Sequence, residues 1–217
     1  YRTAREVAGD PYIMDMNGDG IINKEDRQVL GNFNPKFYGG FNVAFTYGNL
    51  YASAVFTYSY GAKRMWNYTY SSVSSGLSTY NAYNNMMDSW NFTQDPFGNL
   101  PRIGLTGTYN ALSDFVIHDA SFIRLNALNI NYRLPKKWFA NKFLNGADLT
   151  FQASNLFTIT KYPGFDPQGN FGSTDMASSY VVGTRDSQEL IGIGSGVDYS
   201  RYPSSTTFSF GIKLSFK

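Results

Sequence analysis

The feature that most constrains this chain is a two-residue alternation of apolar and polar side chains, sustained well beyond the length of an ordinary strand. From Phe37 to Tyr47, Phe41, Val43, Phe45 and Tyr47 share one face, while Asn42, Ala44 and Thr46 take the other. Gly48-Asn49 interrupts the run as a two-residue hairpin turn would. The next segment puts Leu50, Ala52, Ala54, Phe56, Tyr58 and Tyr60 together, opposite Tyr51, Ser53, Val55, Thr57 and Ser59. Period two returns over 121–134, where Leu128, Ile130, Tyr132 and Leu134 alternate with Ala127, Asn129, Asn131 and Arg133 until Pro135 ends it. Arg124 and Asn126 spoil the apolar face near its start, which predicts a bulge or emergence from an apolar layer there. Residues 136–146 suit one short helical turn. A strand over 148–160 gathers Leu149, Phe151, Ala153, Phe157 and Ile159, and a last one sets Phe208, Phe210, Ile212, Leu214 and Phe216 against Thr207, Ser209, Gly211, Lys213 and Ser215.

Strands of roughly 11–14 residues exceed the five or six of globular proteins and reach the ~9–11 that a tilted strand needs to cross a bilayer. The connections alternate as well. Two stretches without a sustained period, 61–120 and 161–205, follow the second and fourth strands, and the other connections are short. Short turns on one side and long loops on the other are the plan of an outer-membrane barrel. Tyr47, Tyr132, Trp138 and Phe216 fall near short-turn ends, and Tyr58, Tyr60, Phe122 and Phe208 near long-loop ends, as two interfacial girdles require. The alternative is a soluble β-sandwich, because period two does not say whether an apolar face meets lipid or a second sheet. Five strands cannot close a barrel, and open edges are not tolerated in hydrocarbon. The chain also opens Tyr1-Arg2-Thr3-Ala4-Arg5, with neither Met nor a signal-peptide core. The expectation is therefore a piece of a longer polypeptide.

Composition removes several classes of function. The 18 Lys and Arg nearly cancel the 16 Asp and Glu, a balance that argues against a chain whose work is neutralising nucleic-acid phosphates. Only three of the acids are Glu (Glu6, Glu25, Glu189), which disfavours long amphipathic helices. Aromatics make up 18% of the chain, a β-rich composition suited to surfaces with one apolar and one wet end. With no Cys and a single His, His118, disulfide scaffolds, thiol catalysis and His-rich metal centres are excluded.

One metal pattern survives. Asp15, Asn17, Asp19, Asn23 and Asp26 fit calcium-loop spacing, with Gly20 at the tight turn and Ile21 offering its carbonyl. The same residues also suit a loop of Asx turns that needs no metal. His118-Asp119 beside Ser121 invites a triad reading, but near neighbours on an extended segment point different ways. No Asp or Glu pair has a sequence reason for a raised pKa, so glycoside hydrolysis is unsupported and no catalytic residue is expected. Trp66, Tyr68, Tyr70, Tyr80, Tyr83, Trp90 and Phe92 in the first long loop suit sugar stacking, loop packing or the docking of a partner. Packing or docking is favoured.

Four ordered blocks then carry a family resemblance. Gly9-Asp10, Asp15 through Asn23 and Gly31-Asn32-Phe33-Asn34-Pro35 resemble the C-terminal part of SusC/RagA-type TonB-dependent transporters. So do Ser121-Phe122-Ile123-Arg124-Leu125 with Asn131-Tyr132-Arg133-Leu134-Pro135, and Ser154-Asn155-Leu156-Phe157-Thr158 with Lys161-Tyr162-Pro163-Gly164-Phe165-Asp166-Pro167. The fourth is Gly196-Val197-Asp198-Tyr199 with Tyr202-Pro203 and the final strand. The resemblance implies an all-β fold: the last five strands of an antiparallel transmembrane β-barrel of about 22 strands with long extracellular loops. Residues 1–36 would be an extracellular loop segment with the calcium-like motif, and 37–217 the C-terminal barrel strands and loops.

The implied function is the wall of an outer-membrane importer of oligosaccharides or peptides. Implied partners are the remainder of the barrel with its plug domain, outer-membrane lipid, a SusD-like surface lipoprotein, and TonB through an N-terminal part absent here. Ser209, Gly211, Leu214 and Phe216 resemble the terminal assembly signal of such barrels, with Lys217 trailing by one. A periplasmic C-terminus makes the last strand run inward, and counting back through antiparallel strands places Asp15–Asp26 outside the cell. The alternative function is a soluble, calcium-stabilised β-module that binds carbohydrate or protein.

Overall fold

The structure, a computed structural model, describes residues 8–10, 12–66, 87–103, 113–139, 143–168, 196–198 and 202–216. Eight strands form in chain order: β1 (Phe37–Tyr47), β2 (Leu50–Tyr60), β3 (Lys63–Trp66), β4 (Ile117–Asp119), β5 (Phe122–Arg133), β6 (Leu144–Thr160), β7 (Val197–Asp198) and β8 (Thr207–Phe216). Short 3-10 turns at Lys24–Asp26, Asp114–Val116 and Lys136–Phe139 are the helical elements among the described residues. None of these is long and apolar enough to cross a membrane, which leaves a crossing by strands open.

Internal contacts divide the chain into two units interleaved along the sequence. The first comprises Tyr1–Gly31, Arg64–His118 and Asn170–Arg201, and the second Asn32–Lys63, Asp119–Gly169 and Tyr202–Lys217. In the second unit, β1-β2-β5-β6-β8 make one five-stranded antiparallel sheet. In the first, β3 and β7 pair in parallel through Met65↔Val197 and Trp66↔Asp198, around buried Trp66, Val116 and Val197.

The five long strands are those expected from period two, and their register turns the alternation of each strand into rows across the sheet. Phe45, Ala52, Ile130, Phe151 and Phe210 form one row, and Tyr47, Leu50, Tyr132, Leu149 and Ile212 the next. On the opposite face run Ala44, Ser53, Asn129, Gln152 and Ser209, then Thr46, Tyr51, Asn131, Thr150 and Gly211. One face is thus apolar from edge to edge, and the other is dominated by hydroxyls and amides. Aromatic pairs knit the apolar side: Phe41 stacks on Phe56 at 4.8 Å, and Phe151 meets Phe210 at 5.0 Å. That side is nevertheless open, with Phe210 81% and Ile212 70% exposed.

The β1–β2 hairpin turns through Gly48, whose φ of 56° supplies the positive value that a two-residue turn needs. Asn49 then ties the hairpin tip to β5, donating from its amide to the Arg133 carbonyl at 2.8 Å and accepting the Arg133 N–H at 2.9 Å.

The disturbance expected at Arg124 and Asn126 is a bulge. Val55 and Phe56 of β2 pair with Ala127 and Leu125, so Asn126 is an extra residue on β5. Ala127 and Leu125 in turn pair with Ser154 and Phe157, so Asn155 and Leu156 of β6 stand opposite Asn126. The extra residue shifts the parity of β5. Leu125 and Ile123 rejoin the apolar rows, and Arg124 pairs with Thr57 and Thr158 on the polar face. Asn155 adopts φ 51°, a conformation that Asn tolerates better than other residues with a Cβ. Its carbonyl accepts from the Thr206 hydroxyl at 2.9 Å.

The short helical turn expected within 136–146 is present at Lys136–Phe139. One boundary differs from the sequence expectation: β6 begins at Leu144 rather than near 148. Pairing of Leu144 with Phe216 recruits these residues into the ladder across a register shift at Gly146, which interrupts the alternation that would have shown in sequence. The short strands β3, β4 and β7 lie inside stretches read as irregular, because two to four residues carry no visible period.

The bulge yields a direct test. Asn155→Gly should leave stability nearly unchanged, whereas Asn155→Val should cost about 1–2 kcal/mol through left-handed strain. Urea unfolding of the protein measures the difference.

Candidate functional site

In the first unit, Asp15–Asp26 closes on itself through carboxylate and amide side chains that accept from backbone N–H groups. Asp15 accepts from Gly18 and Gly20, both at 2.7 Å, Asn17 from Asp19 at 3.0 Å, and Asp19 from Ile21 at 2.7 Å. Asn23 accepts from Glu25 at 2.6 Å, while the two oxygens of Asp26 take the Met16 and Asn23 amides at 2.8 and 2.7 Å. Gly18 and Gly20 hold φ of 73° and 79°, the left-handed values that such a winding path requires. Among the described residues, no group of three or more His, Cys, Asp or Glu side chains is arranged to hold a metal ion. The five spaced side chains Asp15, Asn17, Asp19, Asn23 and Asp26 thus share one loop, and the Asx-turn organisation is present in it. Ile21 enters through its backbone and leaves its side chain exposed.

The Asn23 N–H bond, followed by that from Met16, holds the Asp26 carboxyl below its ordinary value of 3.8. A depressed folded pKa means that this closure is fully present above the unfolded value and lost as pH falls through the lower folded one. Protection of the Met16 and Asn23 amides, measured as exchange relative to the intrinsic rate at each pH, should therefore persist from neutral pH downward and be lost only below about pH 3.8. Asp26→Ala, which removes both acceptor oxygens, should leave both amides unprotected throughout.

The His118, Asp119 and Ser121 stretch has a structural job. The Ser121 hydroxyl donates to Asp119 at 2.6 Å and accepts the Gly61 N–H at 2.9 Å, and the Ser121 N–H also bonds Asp119 at 2.9 Å. This is an Asx turn that fastens the end of β2 to the start of β5. Its hydroxyl proton faces a carboxylate already held below its usual range, first by that hydroxyl and then by the Ser121 amide and the charges of Lys63 and Lys161. His118 stands edge-on to Trp66, with ring centroids 5.9 Å apart. No nucleophile–base pair results.

Of the loop aromatics, Trp66 is buried in the small sheet, while Trp90 leans on Phe92 at 6.5 Å with Phe92 exposed. Tyr68, Tyr70, Tyr80 and Tyr83 lie outside the described residues, as does Lys217. Elsewhere in the first unit, Asp10 pairs with Arg102 at 2.5 Å.

One cluster escaped the sequence reading. On the polar face of the second unit, Arg124 donates to Thr158 at 2.8 Å, to Gln168 at 2.8 Å and to Asp166 at 2.5 Å. Asn126 donates to Thr57 at 3.0 Å beside it. Arg124 and Asp166 are both buried, 6% and 8% exposed. The signal in the sequence was the Arg that interrupts an apolar face, but nothing local named its partner.

A continuous apolar face on long strands, backed by a polar face, is the pattern of a stretch of barrel wall, and the known proteins this chain is similar to include barrel transporters. Over 96% of its length the chain is 28% identical to TonB-dependent receptor P3 of Formosa agariphila, covering 19% of that protein. It is 27% identical over its full length to TonB-dependent receptor SusC of Bacteroides thetaiotaomicron, again 19% of the relative. A chain of the RagAB peptide importer in its open-open state superposes with a TM-score of 0.61 at 26% identity, covering 87% of this chain and 18% of that one. No family model matches.

The chain spans about a fifth of the length of the curated relatives it matches. The SusC/RagA-type resemblance read from the ordered blocks is borne out, and the fold is all-β, a fragment of a barrel like those of its structural neighbours. These relatives are named as receptors and importers, not enzymes, in line with the non-catalytic reading.

Proposed function

We propose that this chain is part of the wall of a TonB-dependent outer-membrane importer of oligosaccharides or peptides. The observation that carries the reading is the apolar face running unbroken across five paired strands, in a chain similar to such receptors over nearly all its length. Lipid covers that face, and the polar face lines the passage. The remaining wall and the plug domain come from the rest of the polypeptide, which also reaches TonB. A SusD-like surface lipoprotein covers the outer rim, and the C-terminus faces the periplasm. The soluble β-module remains the competing reading, and it requires a second layer to bury Phe210 and Ile212.

Nitroxide labels at Phe210 and Ile212 of the full-length protein in outer-membrane vesicles should be relaxed by oxygen dissolved in lipid. Labels at Gln152 and Ser209 should respond to a water-soluble nickel chelate. The opposite assignment, or extraction of the polypeptide into buffer without detergent, would return the soluble module.

We also propose that Asp15, Asn17, Asp19, Asn23 and Asp26, with the Ile21 carbonyl, bind one structural calcium ion on the extracellular side. Support comes from the spacing and from the gathering of these side chains in one loop. Each side-chain oxygen that accepts one amide keeps a further lone pair. Extracellular modules bind calcium at ~10⁻⁴–10⁻³ M, and this loop should fall in that range. Calorimetry of the full-length protein should show the binding, and Asp15→Ala with Asp19→Ala should abolish it while barrel assembly survives. An identical titration of native protein and variant would leave the loop as a set of Asx turns.

A further inference from the structure

The segment after β6 takes an unexpected course. Residues that follow an outward-running strand would ordinarily leave the wall as an external loop, yet 161–168 turns back onto the polar face. Thr160 begins the return, its hydroxyl donating to the Ser121 carbonyl at 2.8 Å and accepting the Tyr162 N–H at 3.0 Å. Tyr162, Asp166 and Pro167 are buried. All three guanidinium nitrogens of Arg124 are then spent on this arrangement, Nε on the β6 wall at Thr158, Nη1 on Gln168 and Nη2 on Asp166. The same Asp166 oxygen accepts the Gln168 N–H at 2.8 Å, which fixes the turn that presents both acceptors. Arg124 also lies over the Phe122 ring, 5.6 Å from its centroid.

We propose that residues 161–168 form a fixed brace on the passage side of the wall, with Arg124 as its positioning residue. Solute at this level meets the brace rather than strands β5 and β6, so the brace narrows the passage there. The placement on the passage side rests on the wall reading above.

The physics of a buried pair favours geometry over net stability. Replacing both partners by apolar groups is often neutral, but removing one leaves an unpaired charge in a desolvated site, at a large cost. That cost falls on the C-terminal part of the brace, where Arg124 holds Asp166 and Gln168. The bulge explains why Arg124 is available: without Asn126 as an extra residue, position 124 would fall on the apolar face with Leu128 and Ile130.

The test uses the full-length protein in outer-membrane vesicles. This chain has no cysteine, so Pro167→Cys introduces a single thiol within it. With Arg124 intact, that thiol should react with a water-soluble maleimide much more slowly than one placed at exposed Ser204. Adding Arg124→Met should accelerate the reaction by ~150-fold or more, the lower end of what removing one partner of a buried pair costs. Asp166→Asn reads the same clamp from the loop side, where strand pairing is not at stake, and should also expose the thiol. Retention of the fast-migrating folded band on unheated gels shows that the barrel itself has assembled.

Rapid labelling with Arg124 and Asp166 both native would overturn the brace. Unchanged shielding in both Arg124→Met and Asp166→Asn would overturn the role of Arg124. Failure of the wall reading registers separately, at Phe210 and Ile212 on the other face.

Discussion

Everything described here depends on the register of one antiparallel ladder. Because side chains alternate with period two, a slip of one residue between neighbours would carry a whole strand's apolar set to the opposite face. The rows from Phe45 to Phe210 and from Tyr47 to Ile212 hold only because five strands keep phase together. The tight turn at Gly48 sets that phase for the first pair, and Asn49 carries it to the end of β5. In hydrocarbon the same ladder has a second duty, since each unpaired backbone N–H or C=O there costs several kcal/mol. Backbone satisfaction and the segregation of faces are thus achieved by one arrangement.

The bulge shows how a local irregularity serves that order. Strict alternation through 121–134 would place Asn126 and Arg124 in the apolar layer. An extra residue at Asn126, answered by Asn155 and Leu156 on β6, changes the parity partway along β5. Leu125 and Ile123 then complete the apolar rows, and Arg124 is released to the polar face. Bulges re-aim side chains in this way at functional places in many sheets. Here the re-aimed side chain gathers Thr158, Asp166 and Gln168.

Charge is handled differently in the two units. In the Asp15–Asp26 loop, Asp19 and Glu25 are exposed and Asp15 and Asp26 half-buried, and the aspartates serve mainly as acceptors that close successive Asx turns. Such an arrangement satisfies the backbone amides of the loop and keeps further lone pairs on the same oxygens. On the polar sheet face the exposed Arg133 meets the half-buried Asp148 at 2.9 Å, a pair open to solvent on the arginine side that contributes little. The Arg124–Asp166 pair is buried, and its worth lies in fixing the position of a chain segment.

The sequence by itself determined the five long strands, which faces they share, the hairpin at Gly48 and the presence of an irregularity near Arg124. These are properties of local alternation and of turn residues, legible within a dozen positions. It also placed the spaced oxygens of Asp15 to Asp26 in one loop, because ligand-like spacing is itself local. The tertiary structure decided what depends on distant partners. Residues 144–147 become strand because β8 pairs with them, and Met65 and Trp66 because Val197 and Asp198 lie alongside. Arg124 acquires its role from Asp166, 42 positions away, and a spoiled apolar face announces only that such a partner must exist, because a buried guanidinium must be paired.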